Sequence, residues 1–320
     1  MRLGTAEAER PTTRLRGLMR QNRPVVVPGC YNALSARVLE HAGFPAVYMS
    51  GYGTSLSLLG LPDAGLATLT EMVFNAKCIA GAVRAPVIAD ADTGHGNAIN
   101  VVRTVEEFIR AGVAGIHIED QVAPKRCGHV AGRLVVEREE AVRKIRAAAD
   151  TRDALDRDFV LIARTDARGA HGGSLEEAIW RANAFLDAGA DLAFVEGPAN
   201  VEEVQRVGRE VKGPVFYNMT GISPRLTEQQ MADNNIAMCI LPGAAMRATI
   251  MAVHDFAMTI REHGTMAEAA LDARFKQHPM GNLHGFAGFD RIREMEDAYL
   301  PPEAGEKYAG TLGHMPEKKG

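Results

Sequence analysis

The stretch AGVAGIHIED, residues 111–120, contains a helix end, a short apolar run and, last, the two acidic residues Glu119 and Asp120. Gly112 is typical of the left-handed residue that follows a helix. Gly115–Glu119 is too short for a helix and apolar enough for a strand that is buried on both faces. The same order, Ala-Gly followed by an apolar run, recurs at residues 42–49 and 188–196. This repeat predicts a unit in which each helix leads into a parallel strand.

Further short runs, bounded by Gly, Pro or Asp, occur on both sides of this stretch. Capping sequences at Ser174–Glu177 and Thr227–Gln230 mark helix starts between them. Eight βα units predict an α/β fold of the (β/α)8 TIM-barrel type, with a doubly wound open sheet as the alternative. The predicted strands are Val25–Pro28, Ala46–Met49, Val87–Asp90, Gly115–Glu119, Val160–Thr165, Leu192–Glu196, Val215–Asn218 and Met238–Leu241.

The pattern changes near residue 265. We predict a barrel with an N-terminal arm and helix over residues 1–264, and a C-terminal helical appendage and tail of the same domain over residues 265–320. A minimal barrel does not need this appendage, so we expect it to cap the barrel or to pack on a neighbouring subunit. The tail from Pro301 is polar and is expected to be loose.

The composition excludes several classes of protein. A net charge of −4 over 320 residues gives no indication of nucleic acid or of an anionic membrane surface as partner. The N-terminal residues contain charges throughout and no apolar segment of the kind that a signal peptide needs. The four cysteines, Cys30, Cys78, Cys127 and Cys239, are scattered, which predicts free thiols in a reducing cytoplasm.

Several predicted strands end in charged or amide residues, at the edge where barrels of this type hold their active sites. Asp90 and Asp92 are separated by one residue and should project the same way. Paired carboxylates near an apolar core repel each other or take up protons unless a cation lies between them. With Asp63, His117 and Glu119 elsewhere at the edge, we predict Mg²⁺, with Mn²⁺ as the alternative.

The loop after the fourth strand carries Lys125, Arg126, Cys127 and His129. Cations beside a cysteine are expected to lower the pKa of its thiol and to enlarge its thiolate fraction. Such a group transfers a proton or acts as a nucleophile, and the cations can hold substrate carboxylates. A basic loop alone is usually a solvated surface, but its place after a carboxylate-bearing strand end favours catalysis. We expect residues 122–135 to form a mobile lid.

The run Lys125–His129, preceded by His117–Gln121, resembles the signature loop of the isocitrate lyase/phosphoenolpyruvate mutase superfamily. The resemblance extends from about Pro28 to His263, and the cysteine within the loop resembles the lyase branch, which includes the 2-methylisocitrate and 2,3-dimethylmalate lyases. Other matching motifs occur in the same order, at Ser50–Gly53, Leu61–Asp63, Ala89–Gly94, Ala163–Asp166, Glu196 and Asn218–Thr220.

The resemblance implies a role for each matched residue. Metal binding is implied for Asp90 directly and, largely through water, for Asp63, Asp92 and Glu119. Cys127 would protonate a carbanion, and the other residues with implied catalytic roles are Lys125, Tyr48, Glu119 and His129. Substrate contacts are implied for Ser50, Gly51, Tyr52, Gly53, Arg126, Gly128, Arg164, Glu196, Asn218 and Thr220.

The implied reaction is the Mg²⁺-dependent cleavage of a small 2-hydroxy di- or tricarboxylate of the 2-methylisocitrate or 2,3-dimethylmalate type. A base removes the proton of the 2-hydroxyl, the Cα–Cβ bond breaks, and a 2-oxo acid such as pyruvate forms. Tyr48, Lys125 and a metal-bound hydroxide are the alternatives for this base. The resemblance also implies a homotetramer with helix exchange between its subunits.

Two competing interpretations stay open. One is an oxaloacetate hydrolase or decarboxylase, or a phosphonate-type enzyme, of the same superfamily. The other is a non-catalytic protein that binds 2-oxo acids, against which Cys127 and the pair Asp90 and Asp92 argue. The run Thr220–Arg225 departs from the Thr-Glu-Phe-Gly run of methylisocitrate lyases, so the identity of the substrate is not predicted.

Overall fold

The computed structural model describes residues 9–21 and 23–317. Eight parallel strands pair in sequence order and close into a barrel, which confirms the predicted fold and excludes the open sheet. Strands β3, β4, β5 and β7 have the predicted bounds, and each of the others differs by one or two residues at one end. The strands are β1 Val25–Cys30, β2 Val47–Met49, β3 Val87–Asp90, β4 Gly115–Glu119, β5 Val160–Thr165, β6 Leu192–Val195, β7 Val215–Asn218 and β8 Ile236–Leu241.

Helices connect the strands, and two of them begin at the predicted caps. Thr227 and Gln230 form both hydrogen bonds of a capping box, and the Ser174 hydroxyl accepts from the Glu177 amide. A π-helical turn, Ser55–Leu59, follows α3. The helices are α1 Pro11–Met19, α2 Ala33–His41, α3 Gly51–Thr54, α4 Leu69–Ala82, α5 Ala98–Ala111, α6 Arg138–Leu155, α7 Leu175–Asp187, α8 Val201–Glu210, α9 Glu228–Asp233, α10 Ala244–His263, α11 Met266–Lys276, α12 Leu283–Ala287 and α13 Phe289–Tyr299.

The strands are buried on both faces. Inside the barrel, Ile88, Phe194 and Phe216 pack with Leu15 of α1, while Met49 and Phe108 belong to the layer between strands and helices. Because apolar side chains fill both faces of each strand, polar side chains are concentrated where the strands end. The carboxyl ends of the strands therefore define the place of the candidate site.

The chain divides into two compact units between Thr249 and Ile250, within α10. The predicted domain extent, to residue 264, stays a prediction. The expectation of a loose tail is wrong for Pro302–Tyr308, which forms a 3₁₀ helix whose Tyr308 hydroxyl donates to Glu296 of α13, while residues 318–320 lie outside the described residues. The Glu317 amide also donates to Asp290 at 2.9 Å, so polar tail groups find charged partners on α13. No helix in the described part of the chain is both long and apolar enough to span a membrane.

Candidate active site

A cavity of about 510 Å³ opens at the carboxyl ends of the strands. The barrel register brings the side chains of neighbouring strand ends together, as where Asp90 pairs with His117 and Glu119 pairs with Arg164. Most of the predicted site residues line this cavity. They are Tyr48, Ser50, Tyr52, Asp63, Asp90, Lys125, Cys127, Gly128, His129, Arg164, Glu196, Asn218 and Thr220.

Four further predicted residues lie behind the cavity wall. The Gly51 amide donates to Oδ2 of Asp90 at 3.2 Å, and the Gly53 amide donates to Oγ of Ser50 at 3.1 Å. Asp92 and Glu119 are buried next to the cations that line the cavity. These four residues therefore shape and charge the wall rather than forming its surface.

Arg126 is the predicted site residue that the structure directs away from the cavity. Its amide donates to the side chain of Gln121 at 2.9 Å, and its carbonyl accepts from the same side chain at 2.8 Å. Its exposed guanidinium donates to the Ala131 carbonyl at 3.2 Å. In this conformation Arg126 stabilises the loop, and its predicted contact with substrate stays a prediction.

Lys125 is the central cation on the acidic side of the cavity. Its Nζ lies 2.5 Å from Oδ1 of Asp63 and 2.8 Å from Oδ1 of Asp92. Burial alone would lower the pKa of Lys125, but the surrounding carboxylates raise it well above its ordinary value. Lys125 is therefore an ammonium, which argues against it as the base that takes the substrate's hydroxyl proton.

The acidic side chains fit a divalent cation. The candidate ligands are the carboxylates of Asp63, Asp90, Asp92 and Glu119, whose side chains are at most 8% exposed. Lys125 pairs with Asp63 and Asp92, while Arg164, 3.4 Å from Glu119, also pairs with Asp166 and Glu196, so the carboxylates outnumber the cations that contact them. Burial raises the pKa values of Asp63, Asp92 and Glu119, so their ionisation needs further positive charge. Oε1 of Glu119 is buried and accepts no hydrogen bond from the described residues. Such oxygen ligands suit Mg²⁺.

The four carboxylates are not arranged around one point in this conformation. The ammonium of Lys125 lies between Asp63 and Asp92. Among the described residues, no three His, Cys, Asp or Glu side chains are grouped closely enough to hold a metal ion. The chemistry of the ligand set fits Mg²⁺, and the magnesium site itself stays a prediction.

Arg164 extends from the end of β5 into the centre of the site. Its Nε and Nη2 donate to the two carboxylate oxygens of Asp166 at 2.9 and 3.0 Å. Glu119 lies 3.4 Å from its Nε, and Glu196 lies 3.5 Å from its Nη2. A guanidinium that is fixed in this way presents planar donors that suit a substrate carboxylate. This placement supports the role predicted for Arg164.

Cys127 is half-buried in the cavity wall, and its backbone is anchored on both sides. Its amide donates to the Asp63 carbonyl at 3.1 Å, and its carbonyl accepts from the Val130 amide at 2.8 Å. Burial raises the pKa of the Cys127 thiol and outweighs the opposing effects of Arg164 and Lys125. The expectation of a lowered pKa is therefore wrong, because burial of the thiol is the largest effect, Lys125 is paired with Asp63 and Asp92, and the Arg126 guanidinium is exposed. At neutral pH the thiol keeps its proton, as a proton donor must.

Tyr48 and His117 form a buried pair below the metal-ligand candidates. The Tyr48 hydroxyl lies 2.7 Å from Nε2 of His117 and 3.4 Å from Oδ2 of Asp90. Burial raises the pKa of Tyr48 well above its ordinary value and lowers that of His117 to about 4. Both groups are therefore neutral at neutral pH, with a hydrogen bond along which a proton can move.

The opposite wall is built around Glu196, at the end of β6. Asn218 donates from Nδ2 to Oε2 of Glu196 at 3.1 Å, and Nε2 of His129 lies 3.4 Å from Oε1. Thr220 lines the same wall. The residues predicted to hold the far carboxylate of the substrate are thus grouped together.

Arg247 also lines the cavity, and the sequence analysis missed it. It lies in the first turns of α10, six residues after β8 ends at Leu241. The sequence feature that could have indicated Arg247 is its position shortly after a strand end, where other site residues also lie. It was overlooked because Arg247 lies within a long run of helix-forming residues.

Comparison with known proteins identifies the family. The family model described as phosphoenolpyruvate phosphomutase matches residues 15–261. The chain is 43% identical to 2,3-dimethylmalate lyase of Eubacterium barkeri over 89% of this chain and 97% of that protein. It is 41% identical to 2-methylisocitrate lyase of Aeropyrum pernix over 88% of this chain and 90% of that protein.

Solved structures agree with these relatives. A 2,3-dimethylmalate lyase structure is similar with a TM-score of 0.84 and 37% identity, covering 96% of this chain and all 100% of that chain. An oxaloacetate acetylhydrolase has a TM-score of 0.81 at 36% identity, with 90% and 96% covered. A phosphonopyruvate hydrolase in complex with oxalate and Mg²⁺ has a TM-score of 0.81 at 32% identity, with 91% and 100% covered. The lyase names of the relatives agree with the predicted enzyme class, and the chain belongs to the phosphoenolpyruvate mutase/isocitrate lyase superfamily.

Proposed function

We propose that the protein cleaves the Cα–Cβ bond of a small 2-hydroxy di- or tricarboxylate of the 2,3-dimethylmalate or 2-methylisocitrate type. The products are a 2-oxo acid such as pyruvate and a second carboxylate. The observation that carries this proposal is the Cys127 thiol in the wall of a cavity that Arg164 and Arg247 also line. Two guanidiniums in one cavity suit a substrate with several carboxylates. The lyase relatives support the same class of reaction.

Different residues would bind the two substrate carboxylates and the metal ion. Arg164 would hold the carboxylate of the 2-oxo acid portion, and Ser50 lines the same cavity. Asn218 and Thr220 would hold the far carboxylate. Mg²⁺, when bound, supplies a Lewis acid for developing negative charge, and the residues that would hold it are Asp63, Asp90, Asp92 and Glu119.

Two proton transfers complete the reaction. The Tyr48 oxygen accepts the proton of the substrate hydroxyl as the phenol passes its own proton to Nε2 of His117, 2.7 Å away. Asp90, 3.4 Å from that nitrogen, stabilises the imidazolium that results. The electron pair of the broken Cα–Cβ bond stays on the departing carbon, which takes the proton of the Cys127 thiol.

A second candidate is the hydrolysis or decarboxylation of oxaloacetate, which the similarity to an oxaloacetate acetylhydrolase structure favours. That substrate has no 2-hydroxyl: hydrolysis adds water at C2 before the C2–C3 bond breaks and the released acetate carbon takes a proton, whereas decarboxylation loses the C4 carboxylate as CO2. We further propose a cytoplasmic homotetramer with exchanged helices. A phosphonate-type reaction and simple 2-oxo acid binding are outcomes that the following experiment separates.

The test is a panel of 2-methylisocitrate, 2,3-dimethylmalate and other alkylmalates, with release of the 2-oxo acid measured, beside oxaloacetate, with its disappearance measured, and phosphonopyruvate, with release of phosphate measured. Calorimetry with pyruvate, with and without Mg²⁺, reports binding without turnover. We expect turnover of a 2-hydroxy acid that stops in EDTA and returns with Mg²⁺ or Mn²⁺. Full activity after dialysis against excess EDTA would exclude the metal, and turnover of oxaloacetate alone would favour the second candidate.

Variants of two cysteines test the role of the thiol. Cys127→Ser raises the pKa of the acid far above neutrality, so kcat should fall at least about 10²-fold while pyruvate still binds. The matched control is Cys78→Ser, an exposed cysteine on α4, which should keep native kcat. Near-native kcat in Cys127→Ser would reject the lyase mechanism.

A further inference from the structure

Arg133, a residue without a role in the proposed reaction, connects three segments around the site. It lies at the far end of the Cys127 loop, two residues before Val135, which pairs with Gln121 at the start of that loop. Its Nη1 donates to the Gly128 carbonyl and, at 3.0 Å, to Oδ1 of Asp166. Its Nη2 donates to the Gly169 carbonyl at 3.3 Å. The side chain is only 10% exposed.

Arg133 and Arg164 donate hydrogen bonds to the same carboxylate, that of Asp166. Oδ1 of Asp166 accepts from both Arg133 Nη1 and Arg164 Nη2, each at 3.0 Å. One carboxylate thus connects a loop residue to the arginine proposed to bind substrate. A displacement of either guanidinium changes the hydrogen bonding of the other, because both use the same oxygen.

Glycines make this close packing feasible. A Cβ on Gly128 would overlap Nη2 of Arg164 and the side chain of Glu196, and a Cβ on Gly169 would overlap Nη2 of Arg133. Gly128 therefore lies between the two arginines. Its carbonyl accepts a hydrogen bond from Arg133, and its Cα packs against Arg164. Cys127 precedes Gly128, so the same contacts fix the position of its thiol.

We propose that Arg133 is a positioning residue that couples closure of the Cys127 loop to the orientation of Arg164. Opening of the loop must break the contact between Arg133 and Gly128 or pull Arg133 away from Asp166. Binding of a carboxylate by Arg164 therefore favours the closed loop, and the closed loop favours the orientation of Arg164 that binds. The part of this inference that concerns catalysis rests on the proposed lyase function.

The test uses Arg133→Met and Arg133→Lys. Lysine keeps a positive charge near Asp166 but lacks the planar fork that reaches Gly128, Asp166 and Gly169 together. Both variants should therefore lose coupling, although Arg133→Lys should retain more thermal stability. The matched control is Arg168→Met, which removes a bidentate pair with Glu203 at 2.9 and 2.8 Å on the same β5–α7 connection, outside the cavity.

The main measurement needs no turnover. In a Cys78→Ser background, alkylation of Cys127 reports opening of the loop, and oxalate with Mg²⁺ is the probe that should close it. Oxalate should slow alkylation in the native protein and in Arg168→Met but not in either Arg133 variant. Equal protection in Arg133→Lys and the native protein overturns the proposal, as does an absence of protection in the native protein.

Kinetics then separate positioning from stability. In the lyase assay, kcat of both Arg133 variants should fall about 10²-fold, the scale of a misplaced catalytic group, with melting temperatures of Arg133→Lys near native. A lowered melting temperature with native kcat would show a structural role alone and would also overturn the proposal. If the native protein cleaves no panel substrate, the lyase proposal fails while the alkylation test of coupling still gives an answer.

Discussion

Cys127 shows how burial can reverse an expectation that is based on neighbouring charges. Carboxylates already engage Lys125 and Arg164, so desolvation decides the direction of the thiol pKa shift. A thiol with a raised pKa has a thiolate fraction that grows about tenfold per pH unit throughout the neutral range. At neutral pH it consequently carries a proton that it can donate, and it is a poor nucleophile.

We predict the pH dependence of Cys127 alkylation on this basis. In metal-free buffer and a Cys78→Ser background, the rate should rise about tenfold per unit from about pH 7 to pH 8.5 without a plateau. Cys30 and Cys239 should stay unreactive, because burial raises their pKa values to about 12. A plateau below about pH 8 would instead show that the loop cations lower the pKa of Cys127.

The positions of the site residues were predictable where a strand end fixes them. Asp90 and Cys127 could be predicted because each follows a recognisable apolar strand, and both line the cavity. Arg133 could not be predicted, because its importance depends on Asp166 and Gly169, 33 and 36 residues away in sequence. The outward direction of the Arg126 side chain also could not be predicted from the sequence, because it depends on the two hydrogen bonds between the Gln121 side chain and the Arg126 backbone.

At the scale of elements, the strands were easier to predict than the segments that follow them. Four strands have the predicted bounds because apolar runs flanked by Gly, Pro or Asp are typical of buried parallel strands. The 3₁₀ helix Pro302–Tyr308 was missed because its stability depends on contacts with α13, which local sequence does not show. Tertiary contacts, rather than local propensity, decide the structure there.

The Cys127 loop gives a prediction at this scale. Trypsin should cleave after Lys125 or Arg133 when the predicted lid opens, since their side chains are only 4% and 10% exposed in the structure. With a ligand of the closed form at 100 times its Kd, cleavage should slow up to about 100-fold. Mg²⁺ and a substrate analogue should be needed together. Cleavage beyond residue 250 is the internal control, and an equal slowing there would argue against a lid.

The whole molecule presents apolar surface that one chain leaves uncovered. No side chain of α10 is buried within the described chain, and Ile250, Met251 and Val253 are 52%, 65% and 62% exposed. Contiguous exposed apolar side chains are typical of subunit interfaces. A second copy of this chain is the partner that we predict for this helix.

The assembly can be measured directly. Light scattering at micromolar concentration should give four times the 34.5 kDa mass of one chain. The double change Met251→Glu and Val253→Glu should reduce this mass, because it places charges where apolar contacts are expected. The control is Leu155→Glu, an exposed apolar residue at the end of α6, which should keep the native mass. A monomeric native protein would reject the predicted tetramer.

The buried position of Lys125 between Asp63 and Asp92 has a consequence for the rate of the proposed reaction. If the loop that carries Lys125 opens to release product, as we predict for the lid, both ion pairs must separate once in every cycle. The frequency of that opening is an upper limit for turnover. Where opening is slower than the chemical steps, a faster proton transfer at Cys127 brings no gain in speed, whereas a more viscous solvent, by slowing the loop, slows the whole cycle.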